Sequence, residues 1–134
     1  MSTAKKIFLA TESPQIASII TSKLERDGLP VTWKSNGAES LRAIFAEPPD
    51  LMILDSVLPD VSGYEMLGKI RANPGTEAHP VFILLDTLQE YSEMDFIQQG
   101  ADMVFIKPFR PTNLSKKIRK TLARLELADK GAES

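Results

Sequence analysis

The sequence predicts an α/β protein, a doubly wound three-layer sandwich in which a five-stranded parallel sheet is flanked by five helices. Three observations carry that prediction. Leu51-Met52-Ile53-Leu54 and Val81-Phe82-Ile83-Leu84-Leu85 are short, wholly apolar runs. They are too short for core helices and lack polar alternation, which suits strands buried on both faces of a parallel sheet. Five strand candidates alternate with five segments that carry helix caps or an apolar stripe of helical period. No internal repeat, linker or low-complexity stretch breaks the alternation, so right-handed crossovers put helices on both faces of one sheet.

Lys6-Ile7-Phe8-Leu9-Ala10 is the first strand. Ser13 offers an N-cap and Pro14 takes the first helical position, where its missing N–H would have had no helical partner. Ile16, Ile19, Ile20 and Leu24 fall on one stripe of that helix, and Gly28 closes it in a left-handed conformation. Val31-Thr32-Trp33-Lys34 alternates, as a strand near the sheet edge does, and Trp33 is expected to pack against a helix. Asn36-Gly37-Ala38-Glu39 opens a second helix carrying Leu41, Ile44 and Phe45, which Pro48-Pro49 ends.

The third strand, Leu51 to Leu54, stops on a carboxylate, Asp55. Pro59 stiffens the loop beyond it, and Ser62-Gly63-Tyr64-Glu65 reads as a capping box opening a third helix with Tyr64, Leu67 and Ile70. That helix ends near Asn73-Pro74-Gly75, and Pro80 to Leu85 is the fourth strand. Thr87-Leu88-Gln89-Glu90 is expected to cap a fourth helix reaching Gly100. Met103-Val104-Phe105-Ile106 is the last strand, with Lys107-Pro108-Phe109 the turn after it. Pro111 begins a fifth helix with Leu114, Ile118, Leu122 and Leu125 along one side. One domain is expected over residues 1–127, with 128–134 a disordered, polar, small-residue tail.

Composition narrows the function classes. At 134 residues the chain is long enough for one domain with a sizeable core. A formal net charge of -2 argues against generalised binding to nucleic acid or anionic membranes. The absence of cysteine excludes disulfides and thiolate metal sites, and a single histidine, His79, read as a loop residue, excludes multi-histidine ones. The basic start, Met1 to Lys6, is followed by too short an apolar segment for a signal peptide. The longest apolar run, Val81 to Leu85, is far below a membrane span. A soluble, cytoplasmic domain is the expectation.

Ligands of open α/β sheets collect beyond the carboxyl ends of the strands. Three such ends here bear groups able to share one site: Thr11-Glu12 after the first strand, Asp55 after the third and Lys107 after the fifth. Glu12 and Asp55 brought together repel one another unless a cation lies between them. Oxygen ligands with no thiol point to Mg2+ rather than zinc. Lys107 adds a positive point charge able to pair with Asp55 or with a phosphoryl group carried on it. Phosphorylation of an aspartate needs this grouping: a carboxylate nucleophile, a divalent ion and a cation to hold the phosphoryl oxygens. The same residues also allow a plain buried ion pair between Lys107 and Asp55 with Glu12 solvated. The agreement of three strand ends favours the shared site.

These residues resemble the receiver (CheY-like) domain of two-component response regulators. The resemblance runs from about Lys5 to Leu125, most specifically in Leu54-Asp55 with Pro59 and Gly63 beyond, and in Gly100-Ala101-Asp102 leading to Lys107-Pro108-Phe109. It implies a flavodoxin-like sheet of order 2-1-3-4-5 and a cis bond before Pro108. It also implies Asp55 as phosphoacceptor and Lys107 as the phosphate-contacting lysine. Mg2+ would be bound by Glu12, Asp55 and the main-chain carbonyl of Val57, and phosphate would come from the phosphohistidine of a sensor histidine kinase or a phosphotransfer protein. A signalling module rather than an enzyme is implied.

Four positions depart from the family pattern. Of the two acidic residues usual after the first strand, one aligns with Thr11 and the other with Glu12. The switch Ser/Thr of the fourth strand aligns with Leu85, which has no hydroxyl, and the small residue after it with Asp86, whose charge opposes incoming phosphate. The switch aromatic of the fifth strand aligns with Val104. The expectation is therefore a receiver-like module with a degenerate switch, acting through protein contacts of its fourth and fifth helices. The alternative is a pseudo-receiver, a binding module that is not phosphorylated.

Two other classes fit poorly. A haloacid-dehalogenase-type phosphatase needs a second acid two positions after the nucleophile, where Val57 stands. A flavodoxin-like FMN carrier needs a glycine- or hydroxyl-rich phosphate loop, and Thr11-Glu12-Ser13-Pro14-Gln15 has no glycine and carries an acid. Between Lys107 and Arg124 lie seven basic residues and no acidic ones, read as a solvated helix face before a docking surface for an acidic partner. Direct DNA binding is not expected, since no recognition-helix module accompanies the charge. No second module follows Leu125 in this sequence, from which output by protein contact is expected.

Overall fold

A computed structural model describes residues 5–88 and 90–133. The elements run β1 (Ile7–Ala10), α1 (Pro14–Arg26), β2 (Val31–Lys34), α2 (Gly37–Ala46), β3 (Leu51–Asp55), α3 (Gly63–Ala72), β4 (Val81–Leu85), α4 (Glu93–Gln99), β5 (Met103–Ile106) and α5 (Pro111–Glu133). All four strand pairings are parallel, as the alternation predicts for a doubly wound sheet, and the order is β2-β1-β3-β4-β5, as the resemblance implies. The apolar runs of β1, β3 and β4 are buried on both faces because helices cover both. Alternate residues feed two cores. Ile7, Leu9, Leu51, Ile53, Phe82 and Leu84 pack with Ile20, Leu24, Leu114 and Ile118 of α1 and α5. Phe8, Met52, Leu54, Val81, Ile83 and Leu85 pack with residues of α2, α3 and α4.

The helix caps follow the local chemistry. Ser13, Asn36 and Ser62 each accept the amide proton of the residue three positions on. Gly28 has φ +84, the left-handed conformation that closes α1 without a Cβ clash. At Ser62 the predicted box is half formed: Ser62 accepts from the Glu65 amide, and no return bond from Glu65 joins it among the described residues.

Several expectations need correction. α4 begins at Glu93, not near Thr87, because Ser92 and Asp95 form a complete capping box. Upstream, Asp86 Oδ1 accepts the Leu88 amide proton and stabilises a turn instead; Gln89 of the expected cap lies outside the described residues. On α1 the buried stripe is Ala17, Ile20 and Leu24, while Ile19 is 51% exposed. Phe45 and Leu125 lie largely at the surface. Trp33 lies on the edge strand β2 and is 40% exposed. α5 runs from Pro111 to Glu133. Among the described residues no helix is long and apolar enough to cross a membrane.

Candidate functional site

The carboxyl ends of β1, β3 and β5 meet, and they bring together three of the predicted residues. Asp55, the last residue of β3, is 2% exposed. Its Oδ1 accepts from Lys107 Nζ at 2.7 Å and from the Val57 amide at 3.1 Å. Its Oδ2 accepts from the Thr11 hydroxyl at 2.8 Å. An ionised carboxylate this deep needs a counter-ion and hydrogen-bond donors, and the site supplies both. Lys107 reaches Asp55 because β5 is held against β4 up to the strand ends, where the Lys107 amide donates to the Leu85 carbonyl. The turn beyond it contains the cis bond between Lys107 and Pro108.

The ion pair allowed by a purely structural reading is thus formed, and Glu12, which follows the buried Thr11, is exposed. The pair is not sealed in the core. The Lys107 side chain is 21% exposed and borders an open groove of about 450 Å³ lined by Ile16, Ile19, Asp86, Thr87, Lys107 and Phe109, among others.

The loop after β3 is fixed by close contacts. A Cβ on Gly63 would sit 2.5 Å from the Asp55 carbonyl oxygen and 2.9 Å from Ser56 Cα. Glycine there lets the start of α3 lie directly on the end of β3, and the Gly63 amide donates to the Ser56 carbonyl. Asp60 ties the same loop to α2, its two oxygens accepting the Gly37 and Ala38 amide protons. Those bonds, that of Ala38 foremost, hold its carboxyl below the usual value.

For a cation, the available donors are oxygens: Asp55, the exposed Glu12, and the main chain of Val57, which is 38% exposed. Asp55 Oδ2 carries one hydrogen bond and keeps a lone pair. Among the described residues no three acidic or histidine side chains gather to hold a metal. The donor set therefore fits a hard, water-rich ion such as Mg2+, which takes one or two carboxylates and keeps several waters. It does not fit zinc.

Leu85, Asp86 and Val104, where the sequence departs from the family pattern, lie at the end of β4, just after it, and in β5. Leu85 is buried at the end of β4, with no hydroxyl to offer the site. Asp86 borders the groove beside Lys107, and its amide donates to the buried Ser56 hydroxyl. Val104 packs against the α2–α4 core, as does Tyr91, which stacks on Tyr64 with ring centroids 3.8 Å apart.

Three participants escape a linear reading. Thr11 counts in the sequence only as a lost carboxylate, yet its hydroxyl binds Asp55 directly. Ser56 links the ends of β3 and β4, and the Trp33 indole N–H donates to the Thr11 carbonyl at 2.8 Å. Each depends on strand neighbours. The registers of β1 with β2 and β3, and of β3 with β4, were the signal needed, and they are not local.

Comparison with known proteins agrees with this geometry. The family model described as the response regulator receiver domain matches residues 7–119. The alkaline phosphatase synthesis transcriptional regulatory protein PhoP of Bacillus subtilis is 30% identical over 129 residues, covering 96% of this chain and 53% of that protein. The chain spans about half the length of the curated relatives it matches. A response regulator receiver domain protein from Clostridium thermocellum superposes with a TM-score of 0.83 at 27% identity, covering 92% of this chain and 98% of that one. The receiver domain of the Pseudomonas aeruginosa sensor histidine kinase PA1611, solved with a magnesium ion in its active-site cleft, shares the fold. Its TM-score is 0.81 at 22% identity, with 90% and 99% of the chains covered.

Proposed function

The chain belongs to the response regulator receiver domain family, and from that premise we propose that Asp55 accepts a phosphoryl group from a histidine kinase or phosphotransfer protein. Receiver domains of response regulators are signalling modules of two-component systems rather than enzymes. The observation that carries the proposal is the Lys107–Asp55 pair at the strand ends, a carboxylate with its cation already in place and that cation bordering an open groove. A carboxylate oxygen of Asp55 bonds to phosphorus as the phosphorus–nitrogen bond of the donor phosphohistidine breaks. The histidine nitrogen keeps the electron pair and takes up a proton. Asp55 Oδ2, with one neutral donor, is less encumbered than Oδ1, with an ammonium and an amide.

Glu12, Asp55 and the Val57 carbonyl would hold Mg2+, as the donor chemistry allows and as the magnesium-bound PA1611 receiver supports. When bound, the ion neutralises phosphoryl oxygens. Lys107 pairs with the phosphoryl group, whose added charge is about -1.5 to -2, while Leu85 contributes no hydrogen bond. Output passes through protein contacts on the α4 and α5 side of the molecule.

Incubation with acetyl phosphate and Mg2+, read by intact mass, tests the reading. A single phosphoryl adduct should form on the unmodified chain and be absent from Asp55→Asn. Lys107→Ala should still label but lose most of its conformational response, and its stability should fall by about 1–3 kcal/mol as Asp55 loses its counter-ion. No adduct after prolonged incubation would leave the chain as a binding module that is not phosphorylated.

A further inference from the structure

Past Ala10 and Lys34 the pairing of β1 with β2 ends, with one further bond from the Thr11 amide to the Lys34 carbonyl. The Thr11 carbonyl therefore has no ladder partner, and the Trp33 indole N–H fills that place at 2.8 Å. Thr11 is fully buried, and its hydroxyl is used twice. Its oxygen accepts the Ser13 amide proton at 3.2 Å, which leaves the hydroxyl proton for Asp55 Oδ2 at 2.8 Å. A threonine side chain has few alternative rotamers, so the direction of that hydroxyl is set by the backbone that carries it. The same peptide sets the direction in which Glu12 leaves the strand end.

We propose that Trp33 is a positioning residue for Asp55: its indole N–H fixes the Thr11–Glu12 peptide, and through it both the Thr11 hydroxyl on Asp55 and the placement of Glu12. The role at Glu12 rests on the reading of Asp55 as a phosphoacceptor with a neighbouring cation, whereas the effect on Asp55 itself does not. An edge-strand tryptophan 40% exposed is poorly used as core packing. As the donor to the Thr11 carbonyl, which has no other partner among the described residues, it has a defined task next to the site. The chain Trp33, Thr11, Asp55, Lys107 links the edge of the sheet to the groove.

The test uses the full chain and the variants Trp33→Phe, which keeps an aromatic ring and removes the N–H, and Thr11→Val. The side-chain carboxyl 13C resonance of Asp55 is read without metal at neutral pH, and Mg2+ alone is then titrated. Trp33→Phe should move the Asp55 resonance in the same direction as Thr11→Val, and combining them should add nothing to Thr11→Val. Mg2+ should bind Trp33→Phe about threefold to tenfold more weakly, the effect of one hydrogen bond. In the unmodified chain the indole N–H should exchange slowly with solvent. A purely structural tryptophan would lower the melting temperature and leave the Asp55 resonance unmoved. A folded Trp33→Phe with the unmodified Asp55 resonance, or a rapidly exchanging indole N–H, overturns the proposal. If the unmodified chain binds no Mg2+, the cation part of the acceptor reading falls, and the Asp55 resonance still decides whether Trp33 positions it.

Discussion

Asp60 and Thr11 show how single hydrogen bonds set the electrostatics around the acceptor loop. Asp60 holds the first two amides of α2, which Asn36 caps at the third, so three of the four free N–H groups of that helix end are met. Its carboxyl is held below the ordinary value of 3.8 by those bonds. The stability it adds is therefore complete above that value and is lost as the pH falls through the lowered folded one. Asp60→Asn should lower stability at neutral pH and flatten its decline on the acid side, measured as urea midpoint against pH. Thr11 predicts effects of opposite sign with and without metal. Thr11→Asp replaces a donor to Asp55 by a second carboxylate, so the metal-free chain should melt lower. Mg2+ should bind the same variant more tightly, by a third carboxylate, while Glu12→Ala should bind it more weakly. Calorimetric melting with and without Mg2+ separates the two; a Thr11→Asp chain indifferent to Mg2+ would rule out a cation at Glu12 and Asp55.

Elements differ in how firmly the fold holds them. α5 is anchored by Leu114, Ile118 and Leu122, and by Ser115, whose hydroxyl donates to Asp27 across the α1–α5 contact. From Ala123 to Ala128 every residue is exposed. A helix end with no buried face keeps only its propensity, and Gly131 lowers that further. We therefore expect residues 128–134 to fray in solution although the backbone is helical to Glu133. Native-state hydrogen exchange should protect the amides around Ile118 and leave those beyond Ala128 close to unprotected. Protection of the tail at the level of Ile118 would mean that something else holds it. The start of α4 teaches a related lesson. Thr87 precedes a usable helical sequence, but the turn closed by Asp86 and the full capping box at Ser92 and Asp95 win. Two reciprocal bonds at one cap outweigh a single candidate further upstream.

At the scale of the whole molecule, a ligand shifts a conformational equilibrium only by its differential interaction with the two states. Leu85 can gain no hydrogen bond when phosphate arrives, and Val104 presents no ring to move. We expect beryllofluoride with Mg2+ to shift the amides of α4 and α5 little in the unmodified chain. Leu85→Thr combined with Asp86→Ala supplies a hydroxyl and removes the charge beside Lys107, and should enlarge those shifts. A large rearrangement of α4 and α5 in the unmodified chain would show that it switches by another route. The basic stretch from Lys107 to Arg124 is divided in the fold: Lys107 turns to Asp55, and Lys116, Arg119, Lys120 and Arg124 lie exposed on α5.

The sequence by itself determined the fold class, the identity of the strands and the standing of Asp55 and Lys107 at strand ends. Those features are written locally, in apolar runs too short for helices and in polar residues that end them, and burial forces the rest. Helix starts were legible where one cap stood alone, as at Ser13 and Asn36, and misread where two competed. Only the tertiary structure decided which donors reach Asp55. Thr11, Trp33 and Ser56 act across neighbouring strands, and a sequence does not state the register that brings residue 11 within hydrogen-bond distance of both 33 and 55. Register follows from packing both faces of the sheet at once, and that is a property of the assembled core.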